Sequence, residues 1–209
     1  MGLLDALTGR HKVKGPAPDR LFAIATAYVT LQAEQQIEPA GAAAIVFQPL
    51  ATGDFESTIR EMEEVVRATG GESATVVTTQ DDSYGYRWMV LHNPPGAPSV
   101  EDLAVGINAV SSSIETAGYG ERLLCAVFAF RDARARPIYF IYNYKRGHWY
   151  PFVPAGAAAA TSSTGGYGGG AQGGERSTER ELQLKAQLGS ELPIEPEIER
   201  WFPLWGIPI

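Results

Sequence analysis

Helical segments and pairs of β-rich segments alternate along residues 19–144, and this order constrains the fold more than any single motif does. From Asp54, apolar residues recur at helical spacing until Gly70, and a second such run begins after Ser99 and stops at Gly118. Runs rich in β-branched and aromatic residues, each broken by a polar turn, predict two hairpins. These hairpins join residues 74–79 to 84–91 and residues 123–130 to 137–144.

The first unit of the chain has two interpretations. Asp19 is a favourable cap for a short helix through Ile24, and residues 27–31 and 43–48 are rich in β-forming residues, which predicts a third hairpin. A longer first helix that includes residues 27–31 is the alternative. With the hairpin, the order is helix-strand-strand three times. That order predicts an α+β fold with a mainly antiparallel sheet of about six strands and helices on one face. By analogy, a secretion-chaperone-like fold fits it.

The chain ends in an aromatic segment that follows a predicted flexible linker. Such a segment is rarely found unless it docks on its own domain or on a partner. After a predicted domain of residues 1–154, residues 155–174 are mostly Ala, Gly, Ser and Thr, which predicts a flexible linker. Residues 175–209 combine a short polar helix with an end that contains two Trp and a Phe. Burying that end gains roughly 9–18 kcal/mol, and ordering its backbone costs a similar amount, so it needs a shaped groove. We expect it to dock on its own domain. Docking on a partner or on a second copy, in a homo-oligomer, is the alternative.

The N-terminal segment also carries apolar residues next to charge. Leu3, Leu4 and Leu7 fall on one face of a predicted helix, and basic residues follow from Arg10 to Lys14. Such a helix either packs on its own domain or makes peripheral contact with a membrane or partner, with cations near anionic headgroups. No apolar run approaches the roughly 20 residues that span a bilayer, and the layout is not that of a secretory signal. We therefore expect a cytoplasmic protein.

The charge of the chain argues against nucleic acid as a partner. Its 17 basic and 24 acidic residues give a net charge of −7, whereas phosphate contacts need a concentrated positive face. Residues 144–154 combine cations with aromatic rings, as RNA-binding platforms do, but Pro151 and Pro154 would interrupt a platform strand. We expect this segment to leave the sheet, to pack its rings over the sheet edge and to expose Lys145 and Arg146.

No residue pattern predicts catalysis, a cofactor or a metal site. The histidines are far apart in the sequence, and no His-x-x-x-His or Cys-x-x-Cys spacing occurs. Cys125 lies within an apolar run that predicts a core strand rather than a reactive thiol. The glycine-rich residues 165–170 lack the Lys that a phosphate-binding loop requires. The sequence therefore predicts a protein built for contacts, not an enzyme.

Five stretches of the chain resemble the PspA-associated protein B family, small actinobacterial proteins encoded beside phage-shock protein A in envelope-stress loci. The resemblance lies in the following segments: residues 1–10 (MGLLDALTGR), 19–23 (DRLFA), 144–152 (YKRGHWYPF), 191–196 (ELPIEP) and 200–206 (RWFPLWG). The glycine-rich residues 155–174 are longer than the family pattern leads us to expect.

The resemblance implies a role rather than a reaction. It implies a non-enzymatic accessory protein that associates with PspA or a related stress protein, in the cytoplasm and at the inner face of the membrane. The alternative is a small-ligand-binding module or enzyme with a pocket between sheet and helices. Candidate contact residues lie in both ends of the chain and in the basic-aromatic segment: Leu3, Leu4, Leu7, Lys145, Arg146, Trp149, Trp201, Phe202 and Trp205.

Overall fold

The computed structural model describes residues 18–69, 76–155, 166–167 and 174–209. The helices are α1 (Pro18–Gln35), α2 (Gly53–Thr69), α3 (Val100–Thr116) and α4 (Thr178–Leu188). The long strands are β1 (Glu38–Phe47), β2 (Val76–Asp81), β3 (Arg87–His92), β4 (Leu123–Arg131), β5 (Pro137–Asn143) and β6 (His148–Phe152). Short strands are β7 (Pro154–Ala155), β8 (Gly166–Tyr167), β9 (Glu175–Arg176) and β10 (Leu204–Trp205), and 3-10 turns lie at Gly120–Arg122 and Ile198–Arg200.

The six long strands form one antiparallel sheet in the order β2-β3-β1-β4-β5-β6. β1 lies inside the sheet, where Ile45 pairs with Met89 of β3 on one side and with Ala126 of β4 on the other. The two short ladders are β7 with β9 and β8 with β10. The predicted α+β fold with a six-stranded antiparallel sheet is therefore confirmed.

Three helices cover one face of the sheet. Ile24 of α1, Phe55 of α2 and Ile107 of α3 are fully buried, and they belong to one apolar cluster with alternate residues of β1 such as Ile45 and Phe47. Strand residues at alternate positions point to the same face, so one period-two set of β1 supplies this core. The space between the sheet and these helices is filled by apolar side chains.

The predicted first hairpin is wrong, and the alternative of a longer first helix is correct. Residues 27–31 lie within α1, which continues to Gln35. In a strand, Ala27, Val29 and Leu31 would share one face. Ala27 and Leu31 are fully buried whereas Val29 is 63% exposed, which is the helical pattern. Tertiary packing of one helical face therefore overrides the β preference of the local sequence.

The third unit, which begins with α3, has three strands instead of the predicted two, whereas the first unit has only β1. Residues 144–154 were expected to leave the sheet, but β6 pairs antiparallel with β5, with Trp149 opposite Tyr142. Pro151 is compatible with this because β6 is an outer strand, where a missing N–H need not break a ladder. The observed order is helix-strand, helix-strand-strand, helix-strand-strand-strand.

The C-terminal segment packs on the second face and on the β6 edge. Trp201 and Leu204 are buried in a cluster with strand residues that point away from α1–α3, among them Val127 and Ile141. α4 lies beside β6, and its Leu184 belongs to the helix-side cluster. The predicted N-terminal helix of residues 2–8, the predicted end of α2 at Gly70 and most of the predicted linker at 155–174 lie outside the described residues.

Candidate interaction surface

The candidate contact residues fall into three groups in the structure. Leu3, Leu4 and Leu7 lie outside the described residues. Lys145 and Arg146 are exposed in the turn between β5 and β6. The aromatic candidates differ in their exposure to solvent: Trp149 and Trp201 are buried, Trp205 is half-buried, and Phe202 is exposed.

Trp149 lies in β6, and its fully buried side chain contacts the start of α1. Its Nε1 donates a hydrogen bond to the carbonyl oxygen of Arg20 at 2.7 Å. Its ring centroid lies 5.6 Å from that of Phe128 and 5.1 Å from that of Tyr142. In this conformation Trp149 joins the helical layer to the outer strand of the sheet.

Trp201 anchors the C-terminal segment and is only 2% exposed. Its Nε1 donates to the carbonyl oxygen of Glu195 at 3.0 Å, and its ring stacks on Tyr150 with centroids 6.4 Å apart. The Lys185 ammonium lies 5.5 Å from the ring centroid, within the range of a cation–π contact. The N–H of the indole thus has a hydrogen-bond acceptor within the chain, and its ring packs against side chains of the same chain.

Two neighbours of Trp201 show how the segment continues. Trp205 meets Phe152 of β6 edge to face, with centroids 5.0 Å apart. Phe202 is 50% exposed, although the Tyr150 hydroxyl donates to its carbonyl oxygen at 3.1 Å. The backbone at Phe202 is therefore held while its ring faces solvent.

An ion pair between the partly exposed Arg176 and the fully buried Glu181 connects β9, α4 and the C-terminal segment. Arg176 donates to the Glu181 carboxylate from Nη2 at 2.6 Å, and from Nη1 to the carbonyl oxygen of Trp201 at 2.8 Å. The backbone N–H of Val153 donates to the same carboxylate at 2.9 Å. Burial raises the pKa of Glu181, whereas the hydrogen bonds and charge of Arg176 act to lower it.

The outer edge of β6 is covered by the chain itself. Trp149 N–H donates to the carbonyl oxygen of Pro193 at 2.9 Å, and Glu195 N–H donates to the carbonyl oxygen of Trp149 at 2.8 Å. Ile194, between them, forms a parallel bridge with Trp149. An uncovered strand edge invites pairing with other chains, and these bonds remove that option for this part of β6.

The turn between β5 and β6 carries the exposed cations. Gly147 adopts the left-handed conformation that the turn requires, with φ of 65°. Its carbonyl oxygen accepts a hydrogen bond from Arg20 Nη1 at 3.2 Å. Arg146 Nη1 lies 3.8 Å from the carboxylate of Glu195, which is itself buried.

Elsewhere in the described residues, the side chains that could take part in a reaction are buried or paired within the fold. Cys125 is fully buried in β4, and no group of three or more His, Cys, Asp or Glu side chains in this part of the chain has the geometry of a metal site. Burial raises the pKa of Tyr142 to about 12. The hydrogen bond from Arg87 lowers the pKa of Asp81, which pins the β2–β3 hairpin.

An open surface cavity of about 420 Å³ is lined by residues of α2 and by residues at the end of α3. Its lining consists of small polar residues together with one carboxylate and two apolar side chains: Thr58, Glu61, Met62, Ser112, Ser113, Thr116 and Ala117.

Across the ranges the structure covers, no helix is both long enough and apolar enough to cross a membrane.

Sequence reasoning selected most of these side chains but missed Arg176 and Glu181. A carboxylate five residues after an arginine is typical of a solvated helix start. Nothing local in the sequence predicts that the two side chains pair, or that Arg176 also bonds to the carbonyl oxygen of Trp201.

Comparisons with known proteins identify one family. The model of the family PspA associated protein B matches residues 1–209, the whole chain. No curated protein and no solved structure matches.

Proposed function

Because the chain belongs to the PspA associated protein B family, we propose that it is a non-enzymatic accessory protein that binds PspA directly, in the cytoplasm and at the inner face of the membrane. The family name indicates association with PspA. One observation carries the proposal: the family match spans all of residues 1–209. The family assignment therefore includes the C-terminal segment as well as the α+β domain.

The distribution of exposed side chains suggests where the partner binds. Trp149 and Trp201 have their polar and apolar contacts inside the chain, so a partner cannot reach them without displacing the segment. Phe202 offers a ring that is 50% exposed on a backbone fixed by the Tyr150 hydrogen bond. An exposed aromatic ring on a backbone that is already held needs less ordering on binding and is a favourable anchor for an interface. We therefore place the PspA contact at Phe202.

Two features support a binding role over an enzymatic one. The interface between the sheet and α1–α3 is filled by residues such as Ile45, Ile107 and Phe128, where the alternative of an enzyme or ligand module would need a pocket. Asp81 and Glu181, whose pKa values differ from the ordinary ones, each pair with an arginine in a structural contact.

The experiment is a titration of the purified full chain with purified PspA, followed by calorimetry. Phe202→Ala is expected to weaken binding about tenfold or more, since aromatic anchors at interfaces cost upwards of about 2 kcal/mol when truncated. The matched control is Tyr84→Ala, which removes a ring that is 53% exposed at the far β2–β3 turn. That control is expected to leave the affinity unchanged.

Absence of binding between the two purified proteins would contradict the proposal as a whole. Equal losses for Phe202→Ala and Tyr84→Ala would contradict the position of the contact. Light scattering on the same samples tests the homo-oligomer, which stays a prediction. Point variants are preferable to deleting residues 175–209, because that deletion would also remove the buried Trp201 and Glu181.

A further inference from the structure

The two outer strands of the sheet differ in what lies beside them. The outer edge of β6 is bonded to residues 193–195 of the chain itself. β2 is the other outer strand, and in the part of the chain that the structure describes, β3 is the only strand that pairs with it. Every residue of β2 except Val77 is exposed, and Val76 is 56% exposed. The edge of β2 that faces away from β3 is therefore accessible to solvent.

The backbone groups on this edge follow from the β2–β3 ladder. Asp82 N–H donates to the carbonyl oxygen of Tyr86 at 2.8 Å, and hydrogen-bonded pairs recur at every second residue of an antiparallel ladder. The even-numbered residues of β2 therefore bond to β3. Val77, Thr79 and Asp81 direct their N–H and C=O groups away from β3, where an added strand would meet them.

The features that usually protect a strand edge are missing from β2. Its sequence, VVTTQD, contains no Lys, Pro or Gly, and its pairing with β3 runs without a bulge from Val76 to Asp81. Its one charged residue, Asp81, is bonded to Arg87 Nε at 2.6 Å. Val and Thr favour strands, so β2 is a ready template for a further strand.

Charged groups of both signs flank this edge, with acids in excess. Arg87 bonds to Glu56 of α2 as well as to Asp81, and Glu63 of α2 accepts a hydrogen bond from the Thr79 hydroxyl. The charged side chains described on α2 and in the β2–β3 hairpin are the following: Asp54, Glu56, Arg60, Glu61, Glu63, Glu64, Asp81, Asp82 and Arg87. Two copies that meet here repel each other electrostatically, so added salt should strengthen their association.

From this edge we infer that a second copy of the chain pairs with β2 as an antiparallel strand and joins the two sheets across a two-fold axis. Pairing Val77 with Thr79 of the second copy places Thr78 opposite Thr78 on the axis. The N–H and C=O groups that Val77 and Thr79 direct outward then all have partners, and a Thr–Thr pair across antiparallel strands is favourable. Sliding the copies so that Thr79 meets Thr79 would instead place the Asp81 carboxylate opposite Val77.

The occupant is a second copy because the edge is its own complement in this register. A two-fold contact uses the same surface on both partners, and each favourable pair occurs twice. β2 has 6 residues. At about 3.4 Å per residue the shared edge is about 20 Å long. Such a contact is small for a stable dimer, so we expect a reversible one with a dissociation constant of about 10–100 μM.

The inference does not rest on PspA binding, so the first test uses the purified full chain alone. Sedimentation velocity from about 1 to 500 μM should show a dimer that forms as the concentration rises. The dimer should strengthen with salt, because salt screens the repulsion between acidic copies. A basic strand of another protein, the alternative occupant, would bind less well as salt is added.

Two cysteine variants test the register. In Thr78→Cys the new thiols face each other at a pair whose Cα atoms lie about 4.5 Å apart, which a disulfide can bridge. In the matched control Gln80→Cys, on the same strand and also exposed, the thiols are offset by about 14 Å along the strands. Mild oxidation should link Thr78→Cys chains into dimers and leave Gln80→Cys chains as monomers on a non-reducing gel. The native Cys125 is fully buried and stays outside this reaction.

A proline variant tests the backbone bonds. Thr79→Pro removes an outward N–H from each copy and no bond to β3, and outer strands accept proline at such positions. It is expected to weaken dimerisation about 10- to 100-fold. Thr79→Val keeps the N–H but also loses the hydroxyl that bonds to Glu63, and it should change dimerisation less than about threefold. Circular dichroism on each variant checks that the fold is retained.

Three outcomes would overturn the inference. The first is a chain that stays monomeric over the whole concentration range, at low and at high salt. The second is equal cross-linking of Thr78→Cys and Gln80→Cys. The third is a dimer that Thr79→Pro, folded by circular dichroism, leaves as tight as the wild type, which would place the contact on another surface.

Discussion

Replacing Trp201 by alanine should destabilise the whole domain, not only the end of the chain. The indole is 2% exposed and packs on Tyr150, and its Nε1 is bonded to the carbonyl oxygen of Glu195. Arg176 is bonded both to the carbonyl oxygen of Trp201 and to the buried carboxylate of Glu181. The segment is therefore connected to the sheet through several contacts that Trp201 holds in register.

The expected loss follows from the size of the buried ring. Truncation of a buried tryptophan costs about 3–5 kcal/mol, through lost apolar transfer and the cavity that remains. The carbonyl oxygen of Glu195 also loses its donor, which adds about 1 kcal/mol unless water replaces it. In a chain of this size each kcal/mol lowers the melting temperature by about 2–4 °C, so the total loss of about 3–6 kcal/mol corresponds to a fall of roughly 6–24 °C.

The assays are thermal and urea denaturation of the full chain, both followed by circular dichroism, together with hydrogen exchange. Phe202→Ala is the matched control: its ring is the neighbouring one and is 50% exposed, so its loss should cost less than about 1 kcal/mol. A Trp201→Ala chain that unfolds within about 1 kcal/mol of the wild type would refute the reasoning. Loss of exchange protection confined to residues 176–205, at an unchanged midpoint, would show that the segment docks as a separate, weakly coupled unit.

Two further changes test the packing. Arg176→Met should cost about 3–5 kcal/mol at neutral pH, because it leaves Glu181 buried without its partner. Burial already raises the pKa of Glu181, and loss of the arginine raises it further, so the folded variant binds a proton more tightly than the unfolded chain. The variant's stability therefore falls as pH rises through that raised pKa, and its deficit, measured by urea denaturation across pH, should be smaller below 4.5, the ordinary pKa, where both states are protonated. Gly106→Ala should cost about 1–3 kcal/mol in the same assay although alanine favours helices, because the new Cβ would lie 2.5 Å from Leu91 Cδ2; an unchanged midpoint would contradict that clash.

The predicted fold class, the second and third helices and two of the hairpins follow from local patterns. Ser99 caps α3 as expected, accepting from Asp102 N–H at 3.1 Å, because capping involves residues three apart in the sequence. The error at residues 27–31 has a physical reason: Tyr28, Val29 and Thr30 favour strands, but packing of Ala27 and Leu31 against α3 and the sheet selects the helix.

The candidate surface was predicted less well, since a sequence shows that a residue is aromatic but not which side of the fold it meets. Trp201 and Phe202 are adjacent and chemically alike, yet one is buried and the other is half exposed to solvent. Backbone direction at that point, fixed by Tyr150 and Arg176, makes the difference. Both partners lie more than twenty residues away in the sequence, and no local rule reaches so far.

By itself the sequence determined the α+β class, the helix and strand segments with strong periodicity, the concentration of basic residues at the start of the chain, and the family. These depend on spacing, capping and composition, which are local quantities. Only the tertiary structure decided that residues 27–31 belong to α1, that β6 completes the sheet, and that Arg176 pairs with Glu181 and bonds to the carbonyl oxygen of Trp201. Those outcomes depend on which apolar faces and buried charges find partners across the fold, and that is settled by packing between distant segments.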